Sequence, residues 1–198
     1  TLIAVALGLA LLIVLNGFIA GVMEGALQNS IRLQTGHVQM RAASYEEETV
    51  SLEWKNLLDN GDALTAQAKA LPDVSAAAPV LWATSVLNTA DDSLGLRIYG
   101  IDPASTIYDP IRQAMLAGEF VAADDRSGVV LGQRLADEMK VTVGDRVSLT
   151  IINADGNPDE AQFTVRGLFA TGIPSYDESA ALLPLMRAQS FTGTPDHA

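Results

Sequence analysis

Apolar positions fall in two patterns along the chain. From Leu2 to Met23 they run almost unbroken, LIAVALGLALLIVLNGFIAGVM, with Asn16 as the one strongly polar side chain and no Asp, Glu, Lys or Arg. About 20 apolar residues in a helix span a bilayer core at ~1.5 Å of rise each. Only a helix satisfies the backbone of a lone segment in lipid. A cleaved leader has a shorter apolar stretch, with basic residues before it and a small-residue cleavage site after it. No basic residue precedes this run, and Gly25-Ala26 is a poor cleavage site. The other alternative, a helix buried in a soluble core, seldom lacks charge over such a length. The pattern predicts a transmembrane helix. Gly17, Gly21 and Gly25 recur every four residues and form a ridge without side chains, a candidate packing seam for a neighbouring helix. Glycine is also simply common in membrane helices. Beyond Met23 the apolar stripe Met23, Leu27, Ile31 continues beside polar Glu24, Gln28, Asn29 and Arg32, as on an amphipathic helix. Thr35-Gly36 supplies a stop. A helix from Leu2 to Gln34 is about 50 Å long, so a stalk projects beyond the ~30 Å hydrocarbon core.

After the stop the pattern shortens. Gly36 to Ala42 alternates and predicts a strand. Ser44 to Asn60 is polar and irregular. Asp62 caps a helix that ends at Pro72. Val74 to Thr89 and Leu94 to Ile101 read as two strands joined at Asp91-Asp92-Ser93. The order β-α-β-β opens an α+β fold. Asp102-Pro103 marks a boundary. Short helical pieces follow over 104–116. Gly118-Glu119-Phe120 then leads to the apolar run Gly128–Gly132. Next come a helix over Gln133–Met139, strands over Val147–Ile152 and Gln162–Ala170 with the turn Asp155–Pro158 between them, and a last helix over Pro184–Gln189. The final residues, TGTPDHA, read as a loop.

Charge separates these two materials further. All 36 charged residues follow Met23, and the net charge is −12. The 12 Lys and Arg are scattered, which argues against nucleic acid, since a duplex binder needs a basic stripe. Without cysteine there are no disulfides, thiolate metal sites or Cys nucleophile. The only histidines, His37 and His197, lie far apart in the sequence and read as structural or solvated. Glu46-Glu47-Glu48 and Asp124-Asp125 lack the alternating spacing of a calcium loop. Ser85, Ser127 and Ser148 have no G-x-S-x-G context. These absences point away from an enzyme. Trp82 sits in an apolar run and reads as core. Trp54, in the irregular acidic segment, is a candidate substrate or partner contact, as are Met23, Leu27 and Ile31, though packing against a neighbouring stalk is the preferred reading of that stripe.

In order and spacing, the pieces resemble the extracytoplasmic domain of the MacB/FtsX/LolC–LolE class of ABC transporter permeases. The resemblance rests on the charge-free helix followed by Thr35-Gly36-His37-Val38-Gln39-Met40, then Ile98-Tyr99-Gly100-Ile101-Asp102. It continues in Gly118, Val129-Val130-Leu131-Gly132, Leu135-Ala136, Val143-Gly144-Asp145-Arg146-Val147, Phe163–Phe169 and Ala188-Gln189-Ser190-Phe191. It implies residues 1–34 as membrane helix and stalk, 35–102 as the first part of an α+β lobe, 103–175 as an inserted β-rich lobe, and 176–198 as a return segment truncated before that lobe closes. It also implies a body on the periplasmic or extracellular side, three further membrane helices after Ala198, a second permease subunit as homo- or heterodimer, and an ABC ATPase. ATP would be bound by that partner subunit or domain, with no cofactor in this chain, where no GxxxxGK[ST] occurs. The implied function is export or handover of lipoprotein or amphiphilic substrates. The FtsX branch implies instead a signalling subunit that activates a periplasmic partner such as a cell-wall hydrolase, docked through an apolar patch in which Trp54 and Phe120 are candidates.

Overall fold

A computed structural model describes residues 2–31, 33, 36–45 and 52–198. The chain divides into two units, Thr1–Gln39 and Met40–Ala198.

The first unit is one helix, α1, Leu2–Ser30. Within it, Ala6–Gly25 is long and apolar enough to cross a membrane, with mean hydropathy 2.3. Its described side chains are exposed throughout, among them Leu11, Phe18 and Met23. The last turn widens to a π-type turn at Ile31 and Leu33. Gly36 closes it: its N–H donates to the Ile31 carbonyl at 2.9 Å with φ at +62°, a left-handed value that favours glycine. The expected stop therefore has the expected geometry, displaced from the regular helix by the wide turn.

The second unit is built on one sheet. Its elements are α2 (Gly61–Lys69), β1 (Val80–Asn88), β2 (Ser93–Ile101), α3 (Asp109–Gln113), β3 (Met115–Gly118), β4 (Gly128–Gly132), α4 (Gln133–Met139), β5 (Arg146–Ile152), β6 (Pro158–Phe169), α5 (Pro174–Asp177), β7 (Ala180–Pro184) and α6 (Leu185–Thr192). The pairings run β1–β2–β7–β4–β6–β5 and return to β1, which closes a six-stranded barrel, with β3 added on β6. The long strand β6 makes closure possible. Residues 158–164 pair with β5, and 164–169 pair with β4. Within the part paired with β4, a bulge at Arg166 shifts the register and bends the strand.

Strict alternation along β1 sends Leu81, Ala83, Ser85 and Leu87 inward and leaves Thr84 and Val86 exposed. Leu96 and Ile98, Val129 and Leu131, Val147 and Leu149, Phe163 and Val165, and Ala181 and Leu183 complete one buried cluster. Ser85 is the polar member, and its hydroxyl donates to the Thr150 carbonyl at 3.0 Å. Two helices cover the ends. Leu135, Ala136 and Met139 of α4 join the cluster near the β1–β2 turn. At the other end α6 contributes Ala188 and Phe191. Gly100 permits that approach: a Cβ there would stand 2.5 Å from the Ala188 Cβ.

Several sequence expectations need correction. Gly36–Ala42 forms no strand; Val38 is 85% exposed, and alternation alone supplies no partner to pair with. β3, β7 and α5 were not expected. β7 hides because its five residues, AALLP, are buried on both faces and so carry no period of two. The C-terminal residues are not a free loop: Leu58 and Ala198 exchange backbone hydrogen bonds at 2.8 and 3.2 Å, and Asp59 and His197 form a bridge. Nor does the boundary at Asp102 interrupt the sheet, because β2, ending at Ile101, pairs in parallel with β7.

Candidate functional site

The sequence-predicted residues separate into two groups. On α1, Gly17, Gly21 and Gly25 have open space where a Cβ would stand, so the ridge is bare. Met23 is 68% exposed and Ile31 is half-buried. The side chain of Leu27 lies outside the described residues, as do Glu46-Glu47-Glu48 and Thr35. In the body, Trp54 remains 43% exposed and meets the His197 ring edge-on at 4.9 Å. His197 in turn lies 2.7 Å from the Asp59 carboxylate through Nε2 and 2.6 Å from the Pro195 carbonyl through Nδ1. Of the two roles expected for this histidine, structural or solvated, the first holds: it joins two segments about 140 positions apart. Phe120 is half-buried, with Arg112 over its ring at 5.2 Å.

Asp124 and Asp125 also part company. Asp125 accepts from the backbone N–H groups of Ser127 and Gly128 at 3.0 and 2.8 Å and from Arg166 Nε at 2.7 Å. Burial alone would raise its carboxyl, but the Arg166 hydrogen bond, the backbone donors and the guanidinium charge outweigh it and hold the group below the usual carboxylate range. The pair locks the bulge of β6 to the turn before β4. Asp177 does similar work after β6. It is buried, and its carboxylate accepts from Thr171 N–H, Thr171 O–H and Gly172 N–H at 2.9, 2.7 and 3.1 Å. The Asp125-x-Ser127 spacing is a legible turn signal; the 41-residue reach to Arg166 and the six-residue reach back from Asp177 are not.

On the outer face of β2, β7, β4 and β6 a second apolar layer forms around Tyr176, which packs against Tyr99 at 5.5 Å and Phe169 at 5.8 Å. Burial pushes the Tyr176 hydroxyl well above its ordinary value, with Tyr99, Tyr108 and Asp177 adding to it. Burial likewise raises Tyr108, reinforced by Asp102, and raises Tyr99 against the opposing Arg97. These phenols stay neutral and act as packing groups. Among the described residues no three His, Asp or Glu side chains gather as metal ligands. A depression bordered by Thr89–Asp92, Met139–Val141 and Asp145–Arg146 is open to solvent.

A bilayer-length apolar helix that continues in sequence into an acidic, helix-plugged barrel defines a class of anchored domain. The family model described as the MacB-like periplasmic core domain matches residues 1–197, and the chain belongs to that family. It is similar to the lipoprotein-releasing system transmembrane protein LolE of Haemophilus influenzae, 28% identical over 98% of this chain and 46% of that protein. It is also similar to the lipoprotein-releasing system transmembrane protein LolC of Neisseria meningitidis serogroup B, 30% identical over 93% of this chain and 43% of that protein. The chain thus spans less than half the length of these curated relatives. In fold it resembles the extracellular domain of the noncanonic ABC-type transporter YknZ from Gram-positive bacteria, at TM-score 0.50 and 15% identity over 71% of this chain and 70% of that one.

Proposed function

We propose that this chain is the first transmembrane helix and the extracytoplasmic domain of an ABC transporter permease that hands over lipoprotein or another amphiphilic substrate. The observation that carries this reading is family membership across residues 1–197, with two curated relatives named for lipoprotein release. The exposed apolar surface of α1 supports a membrane location, and the acidic body fits a solvated domain on the far side. An ATPase partner would bind the nucleotide, and a second permease subunit would pack on the ridge Gly17, Gly21, Gly25, where small residues let helix backbones approach closely. Met23, Leu27 and Ile31 lie where a lipid-linked cargo would leave the bilayer, and Trp54 offers a half-exposed aromatic contact.

The test uses the full-length permease reconstituted with its ATPase in proteoliposomes loaded with an acylated lipoprotein. ATP should drive release of the lipoprotein to a soluble acceptor. Hydrolysis without release would remove the lipoprotein assignment. In the same system Leu27→Ser should slow release while the subunits still assemble; unchanged release would take Leu27 out of the cargo path.

A further inference from the structure

The body begins at Met40, and its second residue sits among aromatic rings. The Arg41 guanidinium carbon lies 4.8 Å from the centroid of Tyr45 and 5.8 Å from that of Trp82. Arg97 approaches the same indole at 5.5 Å, and Tyr99 meets it edge-on at 5.8 Å. Trp82 and Tyr99 are cross-strand partners in β1 and β2, so the platform under Arg41 belongs to the barrel wall. Trp82 Nε1–H and the Tyr45 hydroxyl are buried without a hydrogen-bond partner among the described residues. Buried donors normally find acceptors. Here the ring faces, rather than a polar bond, set where the indole stands.

Residues 40–45 join no strand, and the Tyr45 N–H donates to the Ala42 carbonyl at 3.0 Å. The side chains do the attaching: Arg41 to Trp82, and the Ser44 hydroxyl to the Lys55 carbonyl. From Tyr99 the ring contacts continue to Tyr176 and Phe169, beside the turn that Asp177 holds.

We infer that Arg41, stacked on Tyr45 and Trp82, is the coupling joint through which displacement of the chain entering the body reaches the barrel wall. The inference rests on the permease reading above. A cation over aromatic faces suits the role, because it holds a partly solvated segment against a sheet without a strand pairing. Spatial contact alone does not establish coupling, so the test reads coupling directly.

The full-length permease with its ATPase is assayed for hydrolysis and for ATP-driven substrate release, and by hydrogen exchange. In Arg41→Ala, hydrolysis should persist while release falls roughly 2- to 30-fold, the range in which coupling residues act. Exchange should quicken at the Tyr45 N–H, which donates to the Ala42 carbonyl, and stay at the wild-type level in β4 and β5. Arg41→Lys, which keeps a cation for the rings, should retain most of the release. Should Arg41→Ala lose protection throughout the barrel, Arg41→Met, which keeps the packing stem without the charge, is judged by the same two readouts. Wild-type release in the charge-free variant, or unchanged exchange at the Tyr45 N–H, overturns the inference. Wild-type permease that hydrolyses ATP but moves no substrate would instead count against the permease reading, with the exchange result still deciding whether Arg41 secures the segment.

Discussion

Leu11 and Leu149 carry the same side chain and meet opposite fates. Leu11, on α1, is 69% exposed, whereas Leu149, in β5, is fully buried. The difference lies in what surrounds each run. In the barrel, alternation places every second apolar residue inward, and six strands close around them, so the body supplies its own apolar interior. On α1 the apolar residues occupy all sides, and no other part of a lone helix can cover them. A helix apolar all round needs a bilayer or a partner helix as its solvent. Hydropathy therefore identifies which residues avoid water, and periodicity identifies who shields them.

Substitutions that act on one region and spare the other sharpen this contrast. The largest effect is expected in the barrel: Leu149→Ala should cost about 2–5 kcal/mol of unfolding free energy, read by denaturant melting of the full chain in detergent. Leu11→Ala should leave that melt unchanged. A charge reverses the sensitivity. Leu15→Arg, at the middle of the apolar span of α1, should cost ~2.5–3.5 kcal/mol of membrane insertion, scored by the fraction of protein recovered in carbonate-washed membranes, while the barrel still melts as wild type. Next comes Gly21→Leu, which fills the bare ridge. It should weaken subunit assembly in detergent crosslinking without changing insertion, and unchanged assembly would take the ridge out of the subunit contact.

A smaller effect concerns pH. Asp125 is held below the ordinary carboxylate range in the folded chain. Its contribution is therefore complete above the unfolded value of about 4 and is lost as pH falls below that through the folded value. Asp125→Asn should flatten this acid limb of the stability profile and leave the neutral and alkaline parts parallel to wild type. An acid limb of wild-type steepness in the variant would show that other carboxylates carry it.

Much of the architecture was legible because the signals were local. The charge-free run located α1, Gly36 located its end, and Gln133–Met139 was read at the residues where α4 forms. The turn at Asp91–Ser93 announced the β1–β2 hairpin. What escaped was decided by distant partners. The alternation of Gly36–Ala42 suits a strand, yet pairing needs a neighbour, and no described strand pairs with it. Closure of the barrel depends on β6 serving two edges, which no local pattern encodes. The candidate surfaces on α1 were visible for the same reason as the helix itself. The junction of Trp54, Asp59 and His197 was not, since its members meet only when the C-terminal residues pair with Leu58.

The account stands on α1 crossing the membrane and the barrel lying outside it. The chain has no cysteine, so one introduced thiol reports on its own position. With any cysteine elsewhere in the full-length protein replaced by serine, Asp91→Cys, at the exposed β1–β2 turn, is treated with a membrane-impermeant maleimide in spheroplasts before and after lysis. Full labelling in intact spheroplasts is the predicted result. Labelling that appears only after lysis would place the barrel in the cytoplasm and contradict the account.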